Sequence, residues 1–319
     1  ELAGATIIDK SPCTVTSSPF SKTHGTAIAS LLVSKTYGVA PDATLLTYRT
    51  SLADDGDESG NECAFRNGNP IEDPTSLINR AISDGAQIIS ISSSDENFDD
   101  STKWAIARAN ALGVIVVSPM GNDAKDETNN GYSKWSGVVG VGAIDTTGKV
   151  ADYSSWGQGT TTAAVGGPII VRNYETGNKA AADGTSYSTP LIAGFLALAK
   201  QKWPNATSNQ LLQLLVTTGL NPDHGWNQYT GYGGIDPGAI LNTDPTQLPD
   251  ENPLAQKQGG SSPTAQEVQD YGDGLIDPTY TVLGESYTYR GADEKVLQLA
   301  DTGKKITIHL GTSPRYHRK

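Results

Sequence analysis

The sequence predicts an α/β protein: a three-layer, doubly wound, mostly parallel sheet, followed by a linker and a small C-terminal appendage. Three observations predict it. Short, continuous apolar runs alternate with segments of helical periodicity. Those runs lack polar alternation, as strands covered on both faces do. After Asn242 the composition changes to one rich in Pro, Gln, Ser, Asp and Gly, which reads as a tether.

The elements follow in order. Residues 3 to 8 and Ala43 to Arg49 (ATLLTYR) read as strands. Asp73-Pro74 offers an N-cap and a first-turn proline; Leu77, Ile78 and Ala81 then recur at helical spacing, and Gly85 is the stop. Gln87 to Ser92 (QIISIS) is a further strand. Asp99 to Leu112 is a helix with acids in its first turn and Gly113 after its end. Val114 to Ser118 (VIVVS) and Val138 to Ile144 (VVGVGAI) are strands. A long helix runs from Ser186 to Trp203, closed by Pro204, and another from Ser208 to Thr217. Gly231 to Leu241 is the last packed segment. The domain therefore spans 1–242, a linker spans 243–277, and 278–319 forms a small β appendage or a disordered tail.

Composition excludes several classes. The chain has 319 residues and a formal net charge of −12, with Lys and Arg scattered until the last few positions. No basic patch exists to neutralise phosphates, so no nucleic-acid partner is expected. No apolar run approaches the roughly 18 residues of a membrane span. Neither a Walker motif nor a Rossmann glycine fingerprint is present. Two cysteines, Cys13 and Cys63, fit neither a zinc site nor a redox pair. One disulfide in an exported protein is the favoured reading, and two free thiols the other. The chain opens at Glu1 and reads as strand within a few residues, so it is expected to be a piece of a longer precursor.

Three strings carry chemistry. In Asp183-Gly-Thr-Ser-Tyr-Ser-Thr-Pro190, a serine sits just before a long apolar helix. Ser186 there meets the positive end of the helix dipole, and its own N–H can face a bound anion. In Thr23-His24-Gly25-Thr26, a histidine opens an apolar helix; imidazole is the base whose pKa suits a serine hydroxyl. In Ser118-Pro-Met-Gly-Asn-Asp123, Asn122 follows a strand, at the sheet end where ligand groups gather. Its amide can donate to an oxyanion. Alone, each string has an ordinary structural explanation: an N-cap, a helix histidine, a turn asparagine.

Together, in this order and on this architecture, they resemble the subtilisin-like (subtilase) family of serine peptidases. His24-Gly25-Thr26 is similar to the family's histidine motif, and Gly184 to Pro190 to its Gly-Thr-Ser-x-x-Thr-Pro nucleophile motif. Gly121-Asn122 is similar to its oxyanion motif. Gly38-Val-Ala-Pro41, Val141-Gly-Ala143 and Tyr153-Ser-Ser-Trp-Gly157 add support, and the resemblance covers residues 1 to 242.

The resemblance implies a serine endopeptidase. His24 would take the proton from Ser186, while Asn122 and the Ser186 N–H hold the oxyanion. A polypeptide substrate would bind as an added strand against Ser92, Ser93 and Ser94 and against Met120-Gly121. Ser93-Ser94-Asp95 replaces the family's usual Leu-Gly-Gly. The family's third member, an aspartate ahead of the histidine, has no matching motif: Asp9 is followed by Lys10-Ser11, not by Ser/Thr-Gly. The acid is expected upstream of Glu1. No catalytic cofactor or metal is implied; structural calcium, common in the family, would draw on acid-rich loops such as Asp54 to Glu58 or Asp95 to Asp100. The protein is expected to be secreted or at the cell surface, and monomeric. A non-catalytic, polypeptide-binding relative is the alternative.

Overall fold

The computed structural model describes residues 1–50, 65–66, 69–70, 74–93, 100–223, 225–257, 262–273 and 275. Its first elements are β1 (Thr6–Asp9), α1 (Pro19–Val33) and β2 (Thr44–Thr47). A short ladder, β3 (Phe65–Arg66) with β4 (Asn69–Pro70), and α2 (Pro74–Ser83) come next. The central region comprises β5 (Ile88–Ser90), α3 (Asp100–Leu112), β6 (Ile115–Pro119), β7 (Val138–Ile144) and β8 (Thr160–Val165). The hairpin β9 (Ile169–Arg172) and β10 (Lys179–Ala182) leads into α4 (Thr185–Lys202). Helices α5 (Ser208–Thr217), α6 (Pro237–Asn242) and α7 (Ala265–Asp273) complete the order.

β5, β6, β7 and β8 form one parallel sheet in that order. Its faces are set by alternation along single strands. Ile115 and Val117 join a core with Ile192 and Leu196 of α4 and Leu211, Leu214 and Leu215 of α5. Val114 and Val116 turn the other way, to Ile78 and Ile82 of α2 and Ala105, Ile106 and Ala109 of α3. This is the expected three-layer arrangement, with helices on both faces of a sheet buried on both sides. Leu196 is fully buried in the first core. Leu196→Ala is expected to cost about 2–5 kcal/mol, read as a lower denaturant midpoint at unchanged slope.

β1 and β2 stand apart as a two-stranded parallel pair. Ile7 and Ile8 remain 37% and 43% exposed there. α1 packs against α4 and β2, and so carries its own face to the front of α4. Ser18 caps α1, accepting from the Ser21 N–H at 3.1 Å, and Pro19 follows in the first turn. The helix thus begins five residues ahead of His24, which lies in the second turn and not at the helix start.

The described residues of the expected linker, 243–257 and 262–273, are packed. Pro245–Gln247 form a 3-10 turn, Leu254 enters the main core, Lys257 is buried, and α7 lies on α3 with Tyr271 fully enclosed. Average composition hid these anchors, because a few buried side chains suffice to dock a polar segment. Residues 278–319, the expected appendage or tail, lie outside the described residues. No described helix is long and apolar enough to cross a membrane.

Candidate active site

Three elements converge at the N-terminal end of α4. α1 brings His24, α4 brings Ser186, and the chain leaving β6 brings Asn122. His24 Nε2 lies 2.9 Å from Ser186 Oγ, across 162 residues of sequence. The imidazole is held between two rings: Phe20, one turn earlier, stacks at 6.2 Å and 9°, and Tyr187 tilts against it at 5.4 Å. Tyr187 is buried, which pushes its hydroxyl above the usual phenol range, and the charge of Asp183 adds to the rise.

Asn122 is locked through its oxygen. Oδ1 accepts from the Thr185 N–H at 2.8 Å and from Thr185 Oγ1 at 2.9 Å. Thr185 Oγ1 in turn accepts from the Gly121 N–H at 3.2 Å. With Oδ1 occupied, Nδ2 is the group left to donate outward. Gly184, at φ +151°, opens the space in front of it. A Cβ on Gly184 would stand 3.3 Å from Ser186 Oγ and 3.4 Å from Asn122 Nδ2, so both groups border one small volume.

The first turn of α4 completes that border. The Thr185 N–H is spent on Asn122 and the Tyr187 N–H on the Gly184 carbonyl, at 3.0 Å. Among the described residues, none accepts from the Ser186 N–H. The Gly184 N–H donates to the Gly166 carbonyl at 2.9 Å and to the Tyr153 hydroxyl at 3.1 Å, which fixes the turn into the helix. An unspent amide at a helix N-terminus beside an outward carboxamide is a ready anion site.

The remaining expected residues divide. Ser92 and Ser93 follow β5; the Ser92 hydroxyl is buried without a hydrogen-bond partner among the described residues, and Ser94 lies outside them. Met120 is 3% exposed and its N–H serves the sheet, donating to Val141. Gly121 spends its N–H on Thr185 and its carbonyl on the Ser155 N–H at 3.0 Å. The carbonyl of Met120 is the backbone group of this pair with no partner among the described residues. Asp9 is engaged elsewhere: its carboxylate accepts from the Ser11 N–H and hydroxyl at 3.0 and 2.6 Å and pairs with Arg49 at 3.0 Å. The Ser11 hydroxyl chiefly, with its N–H and the Arg49 guanidinium, holds that carboxyl below the usual range.

Cys13 is disulfide-bonded, while Cys63 lies outside the described residues. Residues 54–58 and 95–99 of the acid-rich loops lie outside them too, and no cluster of His, Cys, Asp and Glu fit for a metal occurs among those described. Three contributors carried no signal of their own in the sequence: the Thr185 clamp, the Tyr153 hydroxyl and the Phe20 ring. Thr185 belongs to the nucleophile string and Tyr153 to a supporting one, and only their spatial positions reveal the lock on Asn122 and the bond to Gly184.

An imidazole in reach of a serine hydroxyl, beside two outward amide donors, defines a serine-hydrolase type of centre. Residues 8–233 match the description "Subtilase family", Peptidase_S8, and the chain belongs to that family. It is similar to "Thermostable alkaline protease" of Halalkalibacterium halodurans, at 30% identity over 201 residues, covering 61% of this chain and 52% of that protein. Against "Subtilisin DY" of Bacillus licheniformis the identity is 29% over 206 residues, covering 62% of this chain and 70% of the other. The chain thus spans about half the length of the first relative. The solved structure of the "Prenylagaramide maturation protease PagA" shares the fold, with a TM-score of 0.60 at 24% identity, over 75% of this chain and 86% of that one.

Proposed function

We propose that this chain is the catalytic domain of a subtilisin-type serine endopeptidase. The observation that carries the reading is the 2.9 Å approach of His24 Nε2 to Ser186 Oγ. In the proposed cycle, Ser186 Oγ attacks a peptide carbonyl while His24 takes its proton. The oxyanion draws on Asn122 Nδ2 and the Ser186 N–H. His24 then protonates the leaving amine, and water releases the acyl group by the same steps in reverse. The substrate is a polypeptide, the enzyme works as a monomer, and it is secreted or at the cell surface; the bonded Cys13 supports an oxidising compartment. Two functional assignments complete the reading: a disulfide between Cys13 and Cys63, and substrate pairing along 92–94.

The third acid is supplied by a segment upstream of Glu1. Two features support this. The Asp9 carboxylate is tied to Ser11 and Arg49. The parallel pair β1 and β2 is a separate sheet with exposed isoleucines, where parallel strands ordinarily lie inside larger, covered sheets.

The test is a fluorophosphonate probe followed by mass spectrometry of the tryptic peptides. The adduct is expected on Ser186 and is expected to vanish in Ser186→Ala. An adduct elsewhere, or none on an upstream-extended polypeptide, would overturn the assignment. Asn122→Leu in the extended enzyme is expected to lower kcat by about 10²–10³ with KM little changed. Thr185→Val, which frees the Asn122 amide to turn, is expected to cost about tenfold. A raised KM with kcat unchanged would argue for a role in ground-state binding instead.

A further inference from the structure

We propose that residues 244–257 and 262–273 form a strap across the back of the domain, at the sheet end remote from Ser186, with Lys257 as its acid-released latch. The proposal is independent of the peptidase reading. The strap begins on α5. Asp250 accepts from Thr207 Oγ1 at 2.6 Å and Asn209 Nδ2 at 3.1 Å, and Gln210 Nε2 donates to the Thr246 and Leu248 carbonyls at 3.2 Å. Leu254 then enters the core. The strap crosses the chain leading into β7: the Gly137 N–H donates to the Leu254 carbonyl at 2.8 Å, and the Ser136 N–H to the Ser262 carbonyl at 2.9 Å. It ends as α7 on α3, where Lys103 pairs with Glu267 at 3.1 Å. One segment thereby joins a helix on one face of the sheet to a helix on the other.

Lys257 lies at the crossing. Its Nζ donates to the Ser133 carbonyl at 2.6 Å and to the Gly159 carbonyl at 2.9 Å, and it is buried. Ser133 belongs to the 3-10 turn Tyr132–Lys134, and Gly159 immediately precedes β8. The described titratable and charged groups on the packed elements are Tyr132 and Lys134 on the turn, Lys103 and Arg108 on α3, and Glu267, Asp270 and Asp273 on α7. None of them bonds or ion-pairs with Nζ. An ammonium with two carbonyl partners and no counter-ion must bear the cost of its own desolvation. A neutral amine keeps both hydrogen bonds without that cost.

Burial accordingly lowers the Lys257 pKa from 10.5 to about 7. The folded value lies below the unfolded one. Across the interval between them the unfolded chain binds more protons, so stability rises with pH from about 7 toward 10.5. Below about 7 that gain is absent: the latch is charged, and water is the better place for it.

Hydrogen exchange of the full chain tests this, read at the Ser136 and Gly137 amides, whose acceptors belong to the strap. After correction for intrinsic exchange, the strap is expected to open on the order of tenfold more at pH 5.5 than at pH 8.5. This window lies above the carboxylate range. Lys257→Met, with Lys257→Gln as a second variant should the first not fold, is expected to remove the pH dependence at those amides. A flat wild-type profile would overturn the latch, as would an unchanged fall in either folded variant.

Discussion

Ser186→Ala is expected to lower kcat by about 10⁶-fold in the upstream-extended enzyme, with His24→Ala close behind. The double variant is expected to lose little more than either single one. The reason is geometric. Ser186 Oγ and His24 Nε2 are 2.9 Å apart and, in the proposed mechanism, act as one unit: a hydroxyl without its base is a poor nucleophile, and a base without the hydroxyl has no proton to take. Residual hydrolysis would come from Asn122 and the Ser186-position amide, which the alanine retains. Steady-state kinetics on a peptide substrate checks all three variants. Losses that add on a logarithmic scale would show that the two residues do not work as a pair. A peptide-binding signal preserved in Ser186→Ala would show that the alanine disturbs only the reacting atom.

The second expected result concerns the acid. The polypeptide 1–319 is expected to react with the fluorophosphonate about 10⁴-fold more slowly than the same polypeptide extended upstream through an Asp-(Ser/Thr)-Gly motif. The carboxylate in such a centre fixes the imidazole tautomer and stabilises the imidazolium as it forms, so its loss is felt in rate more than in binding. Asp9 is committed to Ser11 and Arg49 and sits on β1, paired with β2. Asp9→Asn is therefore expected to leave the rate of the extended enzyme within about twofold, since an exposed ion pair is worth under about 1 kcal/mol. Equal rates for the two polypeptides would place the acid inside 1–319. A collapse of rate in Asp9→Asn would make Asp9 that acid.

The site was more legible than the scaffold. The proposed site residues His24, Asn122 and Ser186 stood out because each lies in a short string at the end of an apolar element. The structure brings His24 to Ser186 and opens Asn122 onto the same space. Strands of Val and Ile were readable for the same reason. β8 was not, because Thr160, Thr161 and Thr162 look like turn residues. In place they are buried, their hydroxyls spent on the Gln228 carbonyl, the Gly140 N–H and the Gly233 carbonyl. Hydroxyls satisfied by distant backbone leave no periodic trace. The start of α1 was read late because Ser21, Lys22 and Thr23 are polar, although Ser18-Pro19 is an ordinary cap pair. The strap was lost in an average over polar residues, with Pro245, Leu254, Lys257, Pro263 and Tyr271 the few described residues there that are buried.

Pro190 is the sixth residue of α4, in its second turn. It has no N–H to reach back four positions, and the residue four positions back is Ser186. The Thr189 hydroxyl bonds the Thr185 carbonyl at 2.9 Å, so the helix stays anchored one residue before the nucleophile. The peptide group that carries the reactive oxygen is thus released from the ladder that stiffens the remainder of the helix.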